Sequence, residues 1–176
     1  MIHMKKMAFL VFFLINTISF GQIKENNWKT IDENTYSVQY PENWELNTDK
    51  SMGTSFILFT QQTSTDDKFR ENVNLIIQNL EGYNLNLDDY VTISEEQINK
   101  MVTNGKIIES KRLFKNNSEF QKVIFTGDQG IFNLKFIQYY FIKDEKAFVL
   151  TFTSEVTQYE KYKLISDKIL ASFILK

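Results

Sequence analysis

The chain is 176 residues long, with 43% hydrophobic and 24% charged residues and 20 Lys plus Arg against 22 Asp plus Glu. This is the profile of an ordinary folded domain without a concentrated basic face for a phosphate backbone, so global disorder and nucleic-acid binding are both disfavoured. There is no cysteine, and the one histidine is His3, so beyond residue 21 a Ser-His-Asp triad, a Cys-His pair, a histidine base and a zinc site are all excluded.

The N-terminal residues have the pattern of an export signal. Lys5 and Lys6 precede an apolar run from Ala8 to Phe20, which is too short to span a bilayer comfortably as a retained anchor. Ser19 and Gly21 put small residues at the −3 and −1 positions for cleavage between Gly21 and Gln22. This segment resembles those of exported proteins of Bacteroidota, where cleavage just before a glutamine is frequent. No cysteine follows it, so no lipoprotein anchor is expected. The expectation is a signal peptide over residues 1–21 and one domain over 22–176, periplasmic or secreted, with no stable membrane insertion after processing. Two of the 20 basic residues lie in the signal, leaving 18 against 22 acidic ones and a net charge of −4. The remaining 155 residues would bury ~70% of their unfolded surface, enough for a core without disulfides.

Strands follow. Residues 35–40 alternate apolar and polar and end at Pro41, with a short run at 44–46 behind them; residues 55–61 form a second β-rich run. Residues 62–71 are polar and without period, so they read as a surface loop ahead of a strand over 72–80. A helix fits 87–103: Asn86 is a suitable N-cap, Asp88 and Asp89 suit the positive end of the helix, and Asn104-Gly105 supplies a stop. Four strands are predicted at 106–114, 120–126, 131–142 and 147–153, joined by short links rich in turn residues, as in an antiparallel meander. A second helix over 158–172 ends the chain. In 131–142 both faces are apolar, so this strand is expected to be covered on both sides, the two helices supplying the covers. The fold class is therefore α+β: an antiparallel sheet of six to seven strands with helices on both faces, an α/β/α sandwich.

Several stretches then take on a family pattern. Tyr36-Ser-Val-Gln-Tyr-Pro-Glu-Asn-Trp44 resembles the opening strand of the PsbP-like superfamily, followed in order by Asn72-Val-Asn-Leu75, Leu87-Asp-Asp-Tyr90, Gln138-Tyr139, Leu150-Thr-Phe152 and Ile169 to Phe173. The resemblance implies an antiparallel sheet flanked by helices in a superfamily of photosystem II extrinsic proteins, a nuclear Ran-release factor, exported DcrB-like proteins and effector chaperones. It also implies no shared catalytic residue. Plant members are associated with calcium and chloride retention and with histidine metal sites, which this chain cannot match beyond residue 21.

The remaining chemistry rests on carboxylates. Asp66, Asp67 and Glu71 could meet a calcium ion, but the alternating oxygen ligands and turn glycine of such a site are missing, so no metal or cofactor is expected. Asp88-Asp89 reads as helix-end electrostatics, Gly127 and Gly130 as a hairpin, and Lys111, Arg112 and Lys115 as a solvated strand edge. Trp44 reads as core. Phe69, alone in a polar loop between Lys68 and Arg70, reads as an exposed anchor, and Asp66, Asp67, Phe69 and Arg70 are the partner-contact candidates. With no catalytic residues identified, the expected function is that of an exported, non-enzymatic accessory or binding protein whose partner is another envelope or exported protein. The alternatives are a periplasmic chaperone or immunity-type partner and a carboxylate-based hydrolase.

Overall fold

The computed structural model describes residues 27–176; the expected signal peptide, its Gly21–Gln22 junction and His3 lie outside the described residues. The element order is β1 (Trp28–Asp32), β2 (Tyr36–Pro41), β3 (Glu45–Asn47), β4 (Thr54–Phe59), β5 (Asn72–Asn79), α1 (Leu87–Met101), β6 (Thr103–Lys115), β7 (Ser118–Gln129), β8 (Phe132–Lys143), β9 (Lys146–Glu155), α2 (Tyr159–Ser172) and β10 (Ile174–Leu175).

Seven strands form one antiparallel sheet in the order β3-β4-β5-β9-β8-β7-β6. The meander from β6 to β9 follows from its turns: Asn116 and Asn117 between β6 and β7, and Asp144 and Glu145 between β8 and β9, all have positive φ. Two such residues in a two-residue loop twist the chain in the sense that the flanking strands require, and Asn and Asp tolerate that conformation. The basic run Lys111 to Lys115 lies on β6, which is indeed the sheet's edge.

Both faces of the sheet are covered. On one face Phe148, Leu150 and Phe152 of β9 join Val73 and Leu75 of β5 and Ile137 of β8 beneath α2, whose Ile169 and Leu170 are buried against them. On the other, Ala147 and Val149 of β9, Val123 and Phe125 of β7 and Tyr140 of β8 meet Tyr90, Val91 and Ile98 of α1. β9 sits in the middle and is buried without a break from Ala147 to Ser154, as a strand with two dry faces must be. α1 starts where the sequence predicts: Asn86 accepts from the Asp89 amide at 3.0 Å while the Asp89 carboxylate accepts from the Asn86 amide at 3.3 Å, a reciprocal cap.

Two features differ from the sequence expectations. Residues 36–41 do not enter the main sheet; β2 pairs with β1 and β10 in a separate three-stranded sheet that lies over the α2 face. Its buried Tyr36, Val38 and Tyr40 pack into the core shared with α2, and Ser172 at the end of that helix bonds the Gln39 backbone at 2.8 Å. Gly127 is not a hairpin residue but lies within β7. A Cβ there would come within 2.2 Å of Val102 Cγ1, so the missing side chain is what lets the end of α1 rest on the sheet. The neighbouring Gly130, with φ of 62°, makes the turn into β8.

Candidate functional site

Three concavities among the described residues differ in chemistry. The first lies under the 60–71 loop and is bordered by Ser64, Asp66, Asp67, Glu71, Glu155 and Lys161, with a volume of about 260 Å³. The loop is tied at its base, where the Thr60 amide donates to the Glu71 carbonyl at 2.9 Å and Arg70 Nε donates to the Thr60 carbonyl at 2.8 Å. Inside it, Asp67 accepts from both the amide and the hydroxyl of Thr63, at 3.0 and 2.8 Å. Those two bonds hold the Asp67 carboxyl below the usual carboxylate range.

Glu71 is the one charged side chain buried among the described residues, at 2% exposure. Its Oε1 has no hydrogen-bond partner. Burial pushes its carboxyl up, against the pull of the Glu71 and Glu155 amides, and Asp67 and Glu155 push it up further. Strand geometry explains why an acid is there: Glu71, Val73 and Leu75 alternate on one face, and the last two are fully buried.

The partner-contact candidates separate on this frame. Asp66 and Asp67 border the pocket with Glu71. Phe69 is half-buried, its ring 5.3 Å from that of Phe132 at the start of β8, so it is not the isolated exposed ring that the sequence predicts. Arg70 is half-buried as well: its guanidinium bonds Glu45 at 2.7 Å and lies 4.8 Å from the centre of the Phe59 ring, pinning the loop to β3 and β4. Their burial follows from the fold of the loop back onto the sheet end, which a polar, period-free segment does not announce.

The second concavity is apolar. It lies between the β6–β7 turn and the end of α2, where Leu113, Phe120, Phe141, Leu170 and Phe173 form its walls, with a volume of about 260 Å³. Phe114 and Ile174 stand at the same place, 71% and 44% exposed. Lys115 closes one side by donating to the Ala171 carbonyl at 2.6 Å. The sequence carries a signal for this pit, the consecutive apolar pairs Leu113-Phe114 and Ile174-Leu175, in which one member of each must face away from the core. The third concavity runs beside α1 over Gln78, Tyr90, Gln138 and Tyr140. Its polar groups already satisfy one another: Tyr90 donates to Gln78 at 2.7 Å, Tyr140 donates to Gln138, and Gln138 bonds Thr151 at 3.2 Å.

No protein family and no curated protein matches the chain by sequence. Solved structures do. The solution structure of the cyanobacterial PsbP, CyanoP, of Synechocystis sp. PCC 6803 superposes with a TM-score of 0.65 at 13% identity, covering 90% of this chain and 98% of that one. The fold is PsbP-like. LpqN of Mycobacterium tuberculosis, a protein involved in cell envelope biogenesis, superposes with a TM-score of 0.64 at 6% identity over 86% of this chain and 92% of its own. A Pseudomonas aeruginosa protein of unknown function, PA94, gives 0.59 at 10% over 85% and 97%. At these identities the likeness is one of architecture alone. Within the PsbP-like domain the motif residues Tyr36, Val38, Tyr40 and Trp44 are all buried, as are Leu150, Phe152 and Ile169, so the pattern that carries the resemblance is a pattern of core residues. None of them borders the polar pocket.

Proposed function

We propose that this is an exported, non-enzymatic accessory protein of the cell envelope that binds another envelope or exported protein, seating an aromatic or aliphatic side chain of that partner in the apolar pit. The observation that carries the reading is the pit itself. At about 260 Å³ it is smaller than the ~300–1,000 Å³ usual for small-molecule sites, which suits one anchoring side chain better than a metabolite. Exposed Phe114 and Ile174 beside it extend the apolar surface outward, the arrangement of a contact centre with a surrounding rim. The PsbP-like neighbours, one of them an envelope biogenesis protein, fit an accessory role. The N-terminal Lys5-Lys6 pair and the apolar run after it support export. A carboxylate-based hydrolase calls for two converging buried carboxylates, and among the described residues Glu71 is the one buried acid.

The test is site-specific photocrosslinking in intact cells that produce the protein, with a photoreactive residue at position 114 and, as control, at Leu164, an exposed position on α2. A discrete crosslinked protein is expected from 114, reduced when Ile174→Asp is added and absent from 164. Equal crosslinking at the two positions, or none at 114, overturns the reading. The mass of the protein recovered from the same cells checks export: a mature form lacking residues 1–21 is expected, and an intact N-terminus refutes it.

A further inference from the structure

We infer that the groove beside α1 binds an uncharged sugar, stacked on Tyr83 and hydrogen-bonded through its oxygens to the side-chain amides of Gln78 and Gln97. The groove lies on the opposite face of the seven-stranded sheet from the apolar pit and goes beyond the function proposed above.

The concavity over Gln138 and Tyr140, about 330 Å³, adjoins another of about 370 Å³ beside the 80–85 turn, and the two share Gln78, Tyr90, Ser94 and Gln97. Each falls in the ~300–1,000 Å³ range of small-molecule sites, which the pit does not reach. Every residue lining either hollow is uncharged, in a chain where charged residues make up 24%. Four charged residues of α1 are engaged elsewhere. Asp88 pairs with Arg112 of β6, Asp89 closes the helix cap, and Glu96 and Lys100 pair with each other at 2.7 Å. A charged ligand would lose water in this groove and find no counter-charge, so the lining selects a neutral one.

The polar groups present donors. The Tyr90 hydroxyl donates to Gln78 Oε1 at 2.7 Å, which fixes that amide, and among the described residues nothing accepts its two N–H bonds. Gln97 stands two turns along α1 from Tyr90 and borders both hollows with a second amide. Tyr83 adds a ring face. Gly82 and Asn84 beside it have φ of 82° and 50°, and the Tyr83 amide donates to the Leu80 carbonyl at 3.0 Å. This tight turn holds the ring out at the rim of the second hollow, 72% exposed. A ring face beside neutral amides matches a ligand that is apolar on one side and carries oxygens around its edge, as a pyranose does. A wholly apolar ligand would strip water from the amides and return nothing. An extended peptide draws its affinity from a free strand edge, whereas the floor here is β5, β9 and β8, interior strands already paired on both sides. The floor is also preformed, because Tyr140 donates to Gln138 and Gln138 to Thr151 without a ligand.

The experiment titrates cellobiose, maltose and N,N′-diacetylchitobiose into the ¹⁵N-labelled protein, following backbone amides and glutamine side-chain NH₂ groups by NMR. Saturable shifts at Tyr83, Gln78 and Gln97 are expected with at least one of the three, with a Kd on the order of 1 mM for so short a sugar. Tyr83→Ala should weaken binding about tenfold. Gln78→Glu, which keeps the oxygen that accepts from Tyr90 and removes both donors, should weaken it by at least about tenfold. Both side chains are exposed, so the two variants should keep the fold, and a thermal melt of each checks it. Phe114→Ala, in the pit, should bind sugar as the wild type does. The inference is overturned by the absence of saturable shifts with all three sugars or by unchanged affinity in Tyr83→Ala or Gln78→Glu. It is equally overturned if glucosamine or glucuronate acts at lower concentration than glucose, or trialanine at lower concentration than the disaccharides. None of these outcomes alters the crosslinking result at Phe114, so the two readings stand or fall separately.

Discussion

Replacing Glu71 with glutamine should stabilise the protein at neutral pH and leave it unchanged in acid. The carboxyl is buried and one of its oxygens is unpartnered, so its charged form carries a desolvation cost on the order of 1–3 kcal/mol. Glutamine keeps the shape and removes the charge, and with it the repulsion from Asp67 and Glu155. The net gain expected is about 1–2 kcal/mol, which for a chain of this size raises Tm by about 2–4 °C per kcal/mol. The sign with pH follows from linkage. The folded carboxyl titrates above its ordinary value of 4.5, so between that value and the raised one the native state holds the proton more tightly than the unfolded state. Wild-type stability then falls as pH rises through this window and stays lowered above it. Urea unfolding of both proteins from about pH 4 to pH 8 reads this directly, with equal m-values as the check that only stability has changed. A glutamine variant that is less stable at neutral pH, or a gap that fails to close as pH falls below the window, refutes the reasoning.

Gly127→Ala should cost about 1–3 kcal/mol by pushing Val102 off the sheet, and a large part should return in the Gly127→Ala, Val102→Ala double variant; strict additivity in chemical denaturation would argue against that contact. Asn86→Ala should cost about 1 kcal/mol by opening the reciprocal cap, with faster amide exchange confined to the first turn of α1. Phe114→Ala should change stability by less than about 0.5 kcal/mol, because the ring is mostly exposed, while weakening crosslinking of the partner to a photoreactive residue placed at position 174. Burial pushes Tyr36 and Tyr139 each up to about 12 from 10.0, so the native state keeps protons that the unfolded chain releases. Stability should therefore fall as pH rises from 10 toward 12, and a flat urea midpoint across that range would contradict the burial of the two hydroxyls.

The main sheet was readable because its signals are local. Strand alternation, Asn-Asn and Asp-Glu turns, and an Asn cap three residues before an aspartate each act within a few positions, and they placed β4 to β9 and both helices to within a few residues. β1 and β10 escaped. Trp28–Asp32 is short and largely polar, and Ile174–Leu175 is two residues long; each becomes a strand because β2 offers it a hydrogen-bonding edge, which is a fact about distant chain and not about local sequence. The same holds for the assignment of residues 36–41 to a separate sheet. At the pocket, the cluster of Asp66, Asp67 and Glu71 is legible in the sequence, but the burial of Glu71 is not, because its place at the end of a polar loop hides it. Extending the Val73 and Leu75 alternation two residues backward marks it as inward-facing, a rule of period two that outweighs loop polarity. Phe69 and Arg70 could not be read, because the rings they meet, Phe132 and Phe59, come from other strands.

The small sheet has a consequence for timing. β2 is among the first parts of the domain to be synthesised, yet its partner β10 and the Ser172 bond to Gln39 lie 133 residues or more further along, and the Lys176 amide finishes the ladder by donating to the Thr35 carbonyl at 2.9 Å. Contacts of that separation close late and slowly. Until α2 and β10 are in place, Tyr36, Val38 and Tyr40 lack the helix and the second strand that complete their packing, although Phe56 of β4 already offers Tyr36 a ring. The small sheet is consequently the part of the domain whose closure waits on residues 159–175, whereas the seven-stranded sheet takes its ladder from strands much closer together along the chain.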